Sequence, residues 1–248
     1  MASKALHQNY FLIGSLHLKE IKSSKGSDEP FITSMIECYD NLTRNLSDDG
    51  LQVVMFTATN PEVWADLAMI FWAAGLQVTA SWNIATETAG GVKEGNYVQS
   101  TALLICRKRI SEEKKFMDEL TRPIKLEVEK QLKSMREVDV QAEKNFTDVD
   151  YFNAASAASL KVITGFQIAE LNAFDILKKR AIGVANPLEN LIQIGRRVAA
   201  NFLRPIAIDE KLWDDLNEYE KFYLKGLDIE CQAIIVLVLF KIWPKVYV

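Results

Sequence analysis

The stretch Leu51–Arg109, LQVVMFTATNPEVWADLAMIFWAAGLQVTASWNIATETAGGVKEGNYVQSTALLICRKR, decides the fold. It opens with a continuous apolar run, Leu51 to Phe56, rich in strand formers. Such a run suits a strand covered on both faces by helices. Asn60-Pro61 then predicts a helix start, with Asn as the N-cap and Pro at the first helical position. Val63, Trp64, Leu67, Phe71 and Ala74 carry its inward face, and Gly75 ends it where a left-handed residue is favoured. A second strand is predicted over about Leu76 to Trp82, a glycine-containing loop over Thr86 to Tyr97, and a third strand over Val98 to Cys106. Strands and helices at this spacing predict an α/β domain with a mainly parallel sheet and an antiparallel pair at its end.

Upstream, residues 1–30 are weakly patterned, and Ser23, Ser24, Gly26 and Ser27 read as a flexible link. Asp28-Glu29-Pro30 predicts a helix start, and Ile32, Met35, Ile36, Tyr39, Leu42 and Leu46 share one helical face. Ser47 to Gly50 stops that helix with turn chemistry. Downstream of Ser111 the texture changes. Glu112 to about Asn145 is dense in charge of both signs, as in a long solvated helix or a helix pair broken near Pro123. Ala154 to Leu160 is small and apolar, which suits close helix packing, and further helices are predicted around 166–180, 187–203 and 209–230. The expected organisation is therefore a partial Rossmann-like domain over 1–110 and an all-helical domain over 111–248. The apolar run Ala233 to Phe240 is about half as long as a membrane-spanning helix requires, so it reads as a buried strand or helix end.

With 248 residues, 49% hydrophobic and 25% charged, the chain is long enough and apolar enough to bury a core. Its formal charge of −4 gives no general attraction to nucleic acid or acidic membranes, so DNA contact requires a local patch or another chain. Cys38, Cys106 and Cys231 are odd in number and far apart, as expected of reduced thiols in a cytoplasm. The apolar run Tyr10 to Ile13 is too short for a signal peptide, and a cytoplasmic location without membrane contact is expected.

Few motifs carry chemistry. His7 and His17 lack metal-ligand spacing, and neither a Gly-x-Ser-x-Gly elbow nor a His-Glu-x-x-His helix occurs. Asp48-Asp49 sits in a turn, and neighbouring helical residues such as Asp214-Asp215 point in different directions. Gly90, Gly91 and Gly95 fall between two predicted strands, whereas a phosphate cradle needs a helix N-terminus after it. The candidate substrate or DNA contacts are Thr57 and Thr59, which follow a strand end where ligands gather in open α/β sheets. Trp82 and Glu87 follow the next strand; the tryptophan could stack on a base, or lie buried at a sheet edge. Arg107, Lys108 and Arg109 could reach phosphates, or end a strand in solvent beside Glu112 and Glu113.

The run from Phe31 to Glu87, with Ser100 to Arg109 after it, resembles the last part of the large bacterial adenine-specific DNA methylases. The likeness is to the zinc-ribbon type associated with anti-phage and restriction-modification systems. It is carried by the Asp-Gly turn and strand before Phe56, Trp64, Ala74-Gly75, Thr79-Ala80-Ser81-Trp82, Thr86-Glu87 and Cys106-Arg107-Lys108-Arg109. Asp150 to Val162 (DYFNAASAASLKV) resembles the family's helical continuation, and the likeness spans roughly residues 30–230. The resemblance implies methyl transfer from S-adenosylmethionine to the exocyclic amine of a flipped-out adenine. It also implies a glycine-rich cofactor loop and an Asp/Asn-Pro-Pro-Tyr motif, and neither is present; Tyr39-Asp40-Asn41 is an echo without the prolines, inside a helical pattern. By order, Pro30 to Leu46 corresponds to the helix after the catalytic strand and Leu51 to Phe56 to the fifth strand. No catalytic, cofactor-binding or metal residue carries over.

The expectation is thus the C-terminal fragment or subunit of an adenine-specific DNA methyltransferase, truncated and inactive alone. It would require an N-terminal methyltransferase half or self-association, and would meet DNA only through the assembled enzyme. The alternatives are a non-catalytic interaction or regulatory module of the same descent, and an unrelated soluble α/β protein.

Overall fold

Three strands, β1 (Gln52–Phe56), β2 (Leu76–Ala85) and β3 (Ser100–Lys108), form one sheet in the order β1-β3-β2. The computed structural model describes residues 29–85, 100–141, 146–169, 171–173, 175–176, 184–205 and 207–242. Both hydrogen-bonded pairs are antiparallel, with Val54 opposite Leu104 and Trp82 opposite Leu103. The expected mainly parallel sheet is corrected accordingly. β1 and β2 do run the same way, but β3 lies reversed between them and takes all of their pairing.

Helix α1 (Glu29–Asn45) precedes β1, and α2 (Pro61–Ala73) joins β1 to β2. The start of α2 follows its sequence signal: the Asn60 side chain accepts from Glu62 N–H at 2.9 Å, and Pro61 needs no partner in the first turn. Gly75 ends it at φ +70°, where a Cβ would be strained. Trp64 is fully buried, stacks edge-on against Phe56 at 4.8 Å and donates to Ala58 O at 2.8 Å. Phe71 meets Tyr39 of α1 edge-on at 5.0 Å. Tyr39-Asp40-Asn41 is therefore ordinary helix, with the tyrosine in the core and Asp40 paired to Arg44 one turn on.

Residue texture changes near position 110, but packing does not. Helix α3 (Thr121–Gln141) packs along α4 (Asp148–Gly165), and α4 lies across β2 and β3. Pro123 falls in the first turn of α3, where an amide is not needed, so the helix is unbroken. The expectation of an all-helical second half is corrected by β4 (Lys114–Lys115) and β5 (Gln167–Ile168), which pair in parallel. This short ladder ties the chain entering α3 to the chain leaving α4. Part of the helix expected over 166–180 thus forms strand, and residues 177–180 lie outside the described set.

Helix α5 (Leu188–Phe202) packs closely through Gly195, where a Cβ would come within 2.1 Å of Ser159 Oγ. The compact units divide between Ala199 and Ala200 rather than near residue 110. In the second unit, the helix expected over 209–230 is two. α6 (Glu210–Asp215) is capped by Asp209, and α7 (Glu218–Ile242) is capped by Asn217, whose side chain accepts from the amides of Tyr219 and Glu220. The apolar run 233–240 belongs to α7. Among the described residues, no helix is long and apolar enough to cross a membrane.

Beneath α1, burial pushes the Cys106 thiol from 9.0 up to about 12. Burial, then the neighbouring Cys106 and Cys38, pushes the Tyr39 phenol from 10.0 up to about 12. Both groups keep their protons longer folded than unfolded, so stability is level below about pH 9 and falls as pH rises towards 12. Urea midpoints measured from pH 8 to 11.5 will show this decline. In Cys106→Ala it will begin about one pH unit later, where tyrosine alone titrates.

Candidate functional site

The C-terminal ends of β1 and β2 meet the first turn of α4 in a polar junction centred on Asp150. This carboxylate has no exposed surface. Its Oδ1 accepts from the Ser100 amide at 2.9 Å and the Ser100 hydroxyl at 2.7 Å. Its Oδ2 accepts from the Thr147 amide and the Thr147 hydroxyl, both at 2.8 Å. Thr147 and Asp150 thereby form the capping box of α4, and the same carboxylate clamps the first residue of β3. Four donors meet the demand of a buried charge.

Side chains around the clamp extend it to both outer strands. Asn83 of β2 donates to Ser100 Oγ at 3.1 Å and to Asp150 O at 3.3 Å. Asn153 of α4 donates to Thr57 Oγ1 at 3.1 Å, and Thr57 donates in turn to Ser100 O at 3.5 Å. The carbonyl oxygens of Asn83 and Asn153 are buried and take no hydrogen bond from the described residues. The junction therefore presents acceptors at the strand ends, and its one buried carboxylate is already committed to structure.

The candidate contacts from sequence do not converge. Thr57 joins the junction and is exposed, and Thr59 is exposed on the turn beyond it. Trp82 lies within β2 rather than after it and is 56% exposed, so the expectation of a buried edge tryptophan is corrected. The reason is a bulge at Thr79. It breaks the alternation between Val78 and Ala80, so Leu76, Val78 and Ser81 are buried while Trp82 and Ile84 face away. Glu87 lies outside the described residues, as do the glycines of the 86–97 loop and both histidines.

The basic triplet closes β3 at the opposite end, about 27 Å from Ser100 at the rise of an extended strand. Arg107 donates to Asp49 O at 2.6 Å and bridges the turn before β1; Lys108 pairs with Asp48 at 3.0 Å. Arg109 stacks over Trp72 at 5.4 Å, and burial pulls its guanidinium below the ordinary range. This cluster pins the strand's far end to α2 and the 47–50 turn. Thr57 and the basic triplet cannot touch one small ligand together.

Asp150, Ser100, Asn83 and Asn153 were absent from the candidates, although Thr147-x-x-Asp150 carries the spacing of a capping box. Among the described residues, no group of His, Cys, Asp and Glu could hold a metal ion. Asp150→Asn replaces one acceptor by a donor facing donors, and should cost about 3 kcal/mol in urea unfolding. Asn153→Ala and Thr57→Val should each cost about 1 kcal/mol. An Asp150→Asn chain as stable as the parent would show that the clamp holds nothing. Compared with models of protein families, with curated proteins and with solved structures, the chain matches none.

Proposed function

We propose that this chain is the C-terminal fragment or subunit of an S-adenosylmethionine-dependent adenine-specific DNA methyltransferase, inactive until a front half completes its sheet. The observation that carries the reading is an exposed apolar row on one side of the sheet. α2 and α4 cover the face bearing Val54, Leu104 and Val78. The opposite face carries the row Met55–Leu103–Trp82, with Met55 45% exposed, and Ile84 beside it. Among the described strands, the outer edge of β1 is also unpaired. An exposed apolar face beside an open edge is where further strands and helices would add.

The strand order supports the same reading. A Rossmann-like methyltransferase sheet closes with its last strand reversed between the two before it, and β1-β3-β2 has that form. In such an assembly the front half supplies the cofactor loop and the Asp/Asn-Pro-Pro-Tyr motif. This chain supplies the closing strands and, at their C-terminal ends, the Thr57–Asn153 junction. Trp82 then becomes core at the joint rather than a stacking platform for a base.

The second reading, a non-catalytic interaction module, draws on the same face and on Asp150, whose carboxylate is fully engaged in structure. Titration calorimetry with S-adenosylmethionine separates enzyme from fragment: the purified chain alone should give no binding heat, and stoichiometric binding would refute the proposal. The double variant Met55→Lys/Trp82→Lys should keep the parent's circular dichroism but bind less of an apolar dye and associate less. Unchanged dye binding would mean that this face is not the open one.

A further inference from the structure

Arg196 of α5 is a half-buried cation that meets no anion among the described residues. It follows Gly195, through which α5 meets α4 at Ser159 and Ala155, and its guanidinium lies over the Phe152 ring of α4 at 5.0 Å. Nη1 is enclosed and bonds to nothing, whereas Nε and Nη2 are neither enclosed nor bonded within the chain. Burial alone pulls the group below its ordinary range, with no carboxylate acting against it. Asp148, one turn before Phe152 on α4, is exposed and already interacts within the chain. A half-buried guanidinium has lost part of its hydration, and an aromatic ring returns only some of it. The ring and the enclosed Nη1 fix its plane, so the Nε–Nη2 edge stands ready as a fork. That edge matches two oxygens of one oxyanion.

We propose that the Nε–Nη2 edge of Arg196 binds a phosphate group, with the exposed Arg197 adding charge beside it. Place argues for phosphate. Phe152 lies in the second turn of α4, whose first turn forms the junction at the C-terminal ends of β1 and β2. Ligands gather at that end of open α/β sheets. The backbone of a DNA strand is the source of phosphate, a choice that rests on the methyltransferase reading. Such contacts hold a strand in place without reading its sequence. In a chain of net charge −4 they require a local cationic group of this kind.

The test follows the Arg196 Nε–H signal of the full chain by heteronuclear NMR. Inorganic phosphate should move it saturably, while sodium chloride at matched ionic strength should not. The exposed Arg122 should respond to the two salts alike. A short oligothymidylate should compete with phosphate and bind more tightly, because Arg197 then meets a second phosphate. Read at the Gly195 amide, Arg196→Lys keeps the charge but loses the fork and should weaken phosphate binding roughly tenfold. Phe152→Leu removes the platform and should weaken it several-fold, both variants keeping the parent's circular dichroism. Phosphate binding without competition from oligothymidylate upholds the site and assigns it to a free phosphate-bearing ligand. An Arg196 signal that moves no further in phosphate than in chloride overturns the proposal. So does acetate binding as tightly as phosphate, which gives the fork to a carboxylate. None of these outcomes touches the methyltransferase reading, which rests on the sheet face and fails separately, by S-adenosylmethionine binding to the chain alone.

Discussion

A carboxylate without exposed surface must be met by donors, and Asp150 is met by four that come from two distant places in the chain. Thr147 is local and starts α4. Ser100 is 50 residues away and starts β3. The bond set fixes where α4 begins relative to the central strand, and everything on the covered face follows from that. With its N-terminus clamped, α4 runs down the sheet until Thr164 accepts from the Val78 amide at 2.9 Å. That amide comes at the bulge, so the irregularity in β2 and the far end of α4 are held together. The helix is thus fastened to the sheet at both ends by hydrogen bonds, and by apolar packing between them.

The position of β3 has a comparable consequence for the sheet. Because it pairs on both sides, β1 and β2 each keep one edge without a strand among those described. Helices α2 and α4 share a face, and among the described residues the other carries exposed apolar side chains. A bulge at Thr79 places Trp82 and Ile84 on that side. Exposing a tryptophan, a methionine and an isoleucine in one continuous area is costly for an isolated chain. It ceases to be costly once the area is covered, and this is the physical content of the proposal that the sheet is half of a larger one.

How much of this was legible in the sequence depends on the range of the signal. Helices α1 and α2 and strand β1 lie where their caps, turns and periodicity predict, because Asn60-Pro61 and Gly75 act on residues beside them. Pro123 left two readings open, a long helix or a broken pair, because its effect depends on which turn it occupies; in the first turn it leaves the single long helix α3. Trp82 misled because a single-residue bulge reverses every side chain after it, and Thr79 carries no local mark of one. The antiparallel pair expected at the end of the sheet is there, but β3 inserts between β1 and β2, so no parallel pair forms among these three strands; which strand lies beside which is set by the partners present, not by strand propensity. Of the candidate site, Thr57 was legible from its place after a strand. Its partner Asn153, 96 residues away, was not, since a polar contact at that distance leaves no spacing to read.

The basic triplet shows why residue type alone is a poor guide to chemistry here. Arg107, Lys108 and Arg109 invite a phosphate reading, yet the backbone of the 47–50 turn, Asp48 and the Trp72 ring already engage them. A cation committed to a carbonyl or carboxylate in its own chain must give up that contact before it can bind an anion, so little net affinity remains. The same holds for Asp150, whose lone pairs are filled before any substrate arrives. Arg107, Lys108 and Asp150 are thus committed to architecture, while Arg109 keeps one buried guanidinium nitrogen that donates to none of the described residues. Along the sheet, the exposed surface is the apolar row of Met55, Trp82 and Ile84, while the unpartnered oxygens of Asn83 and Asn153 at the strand ends are buried.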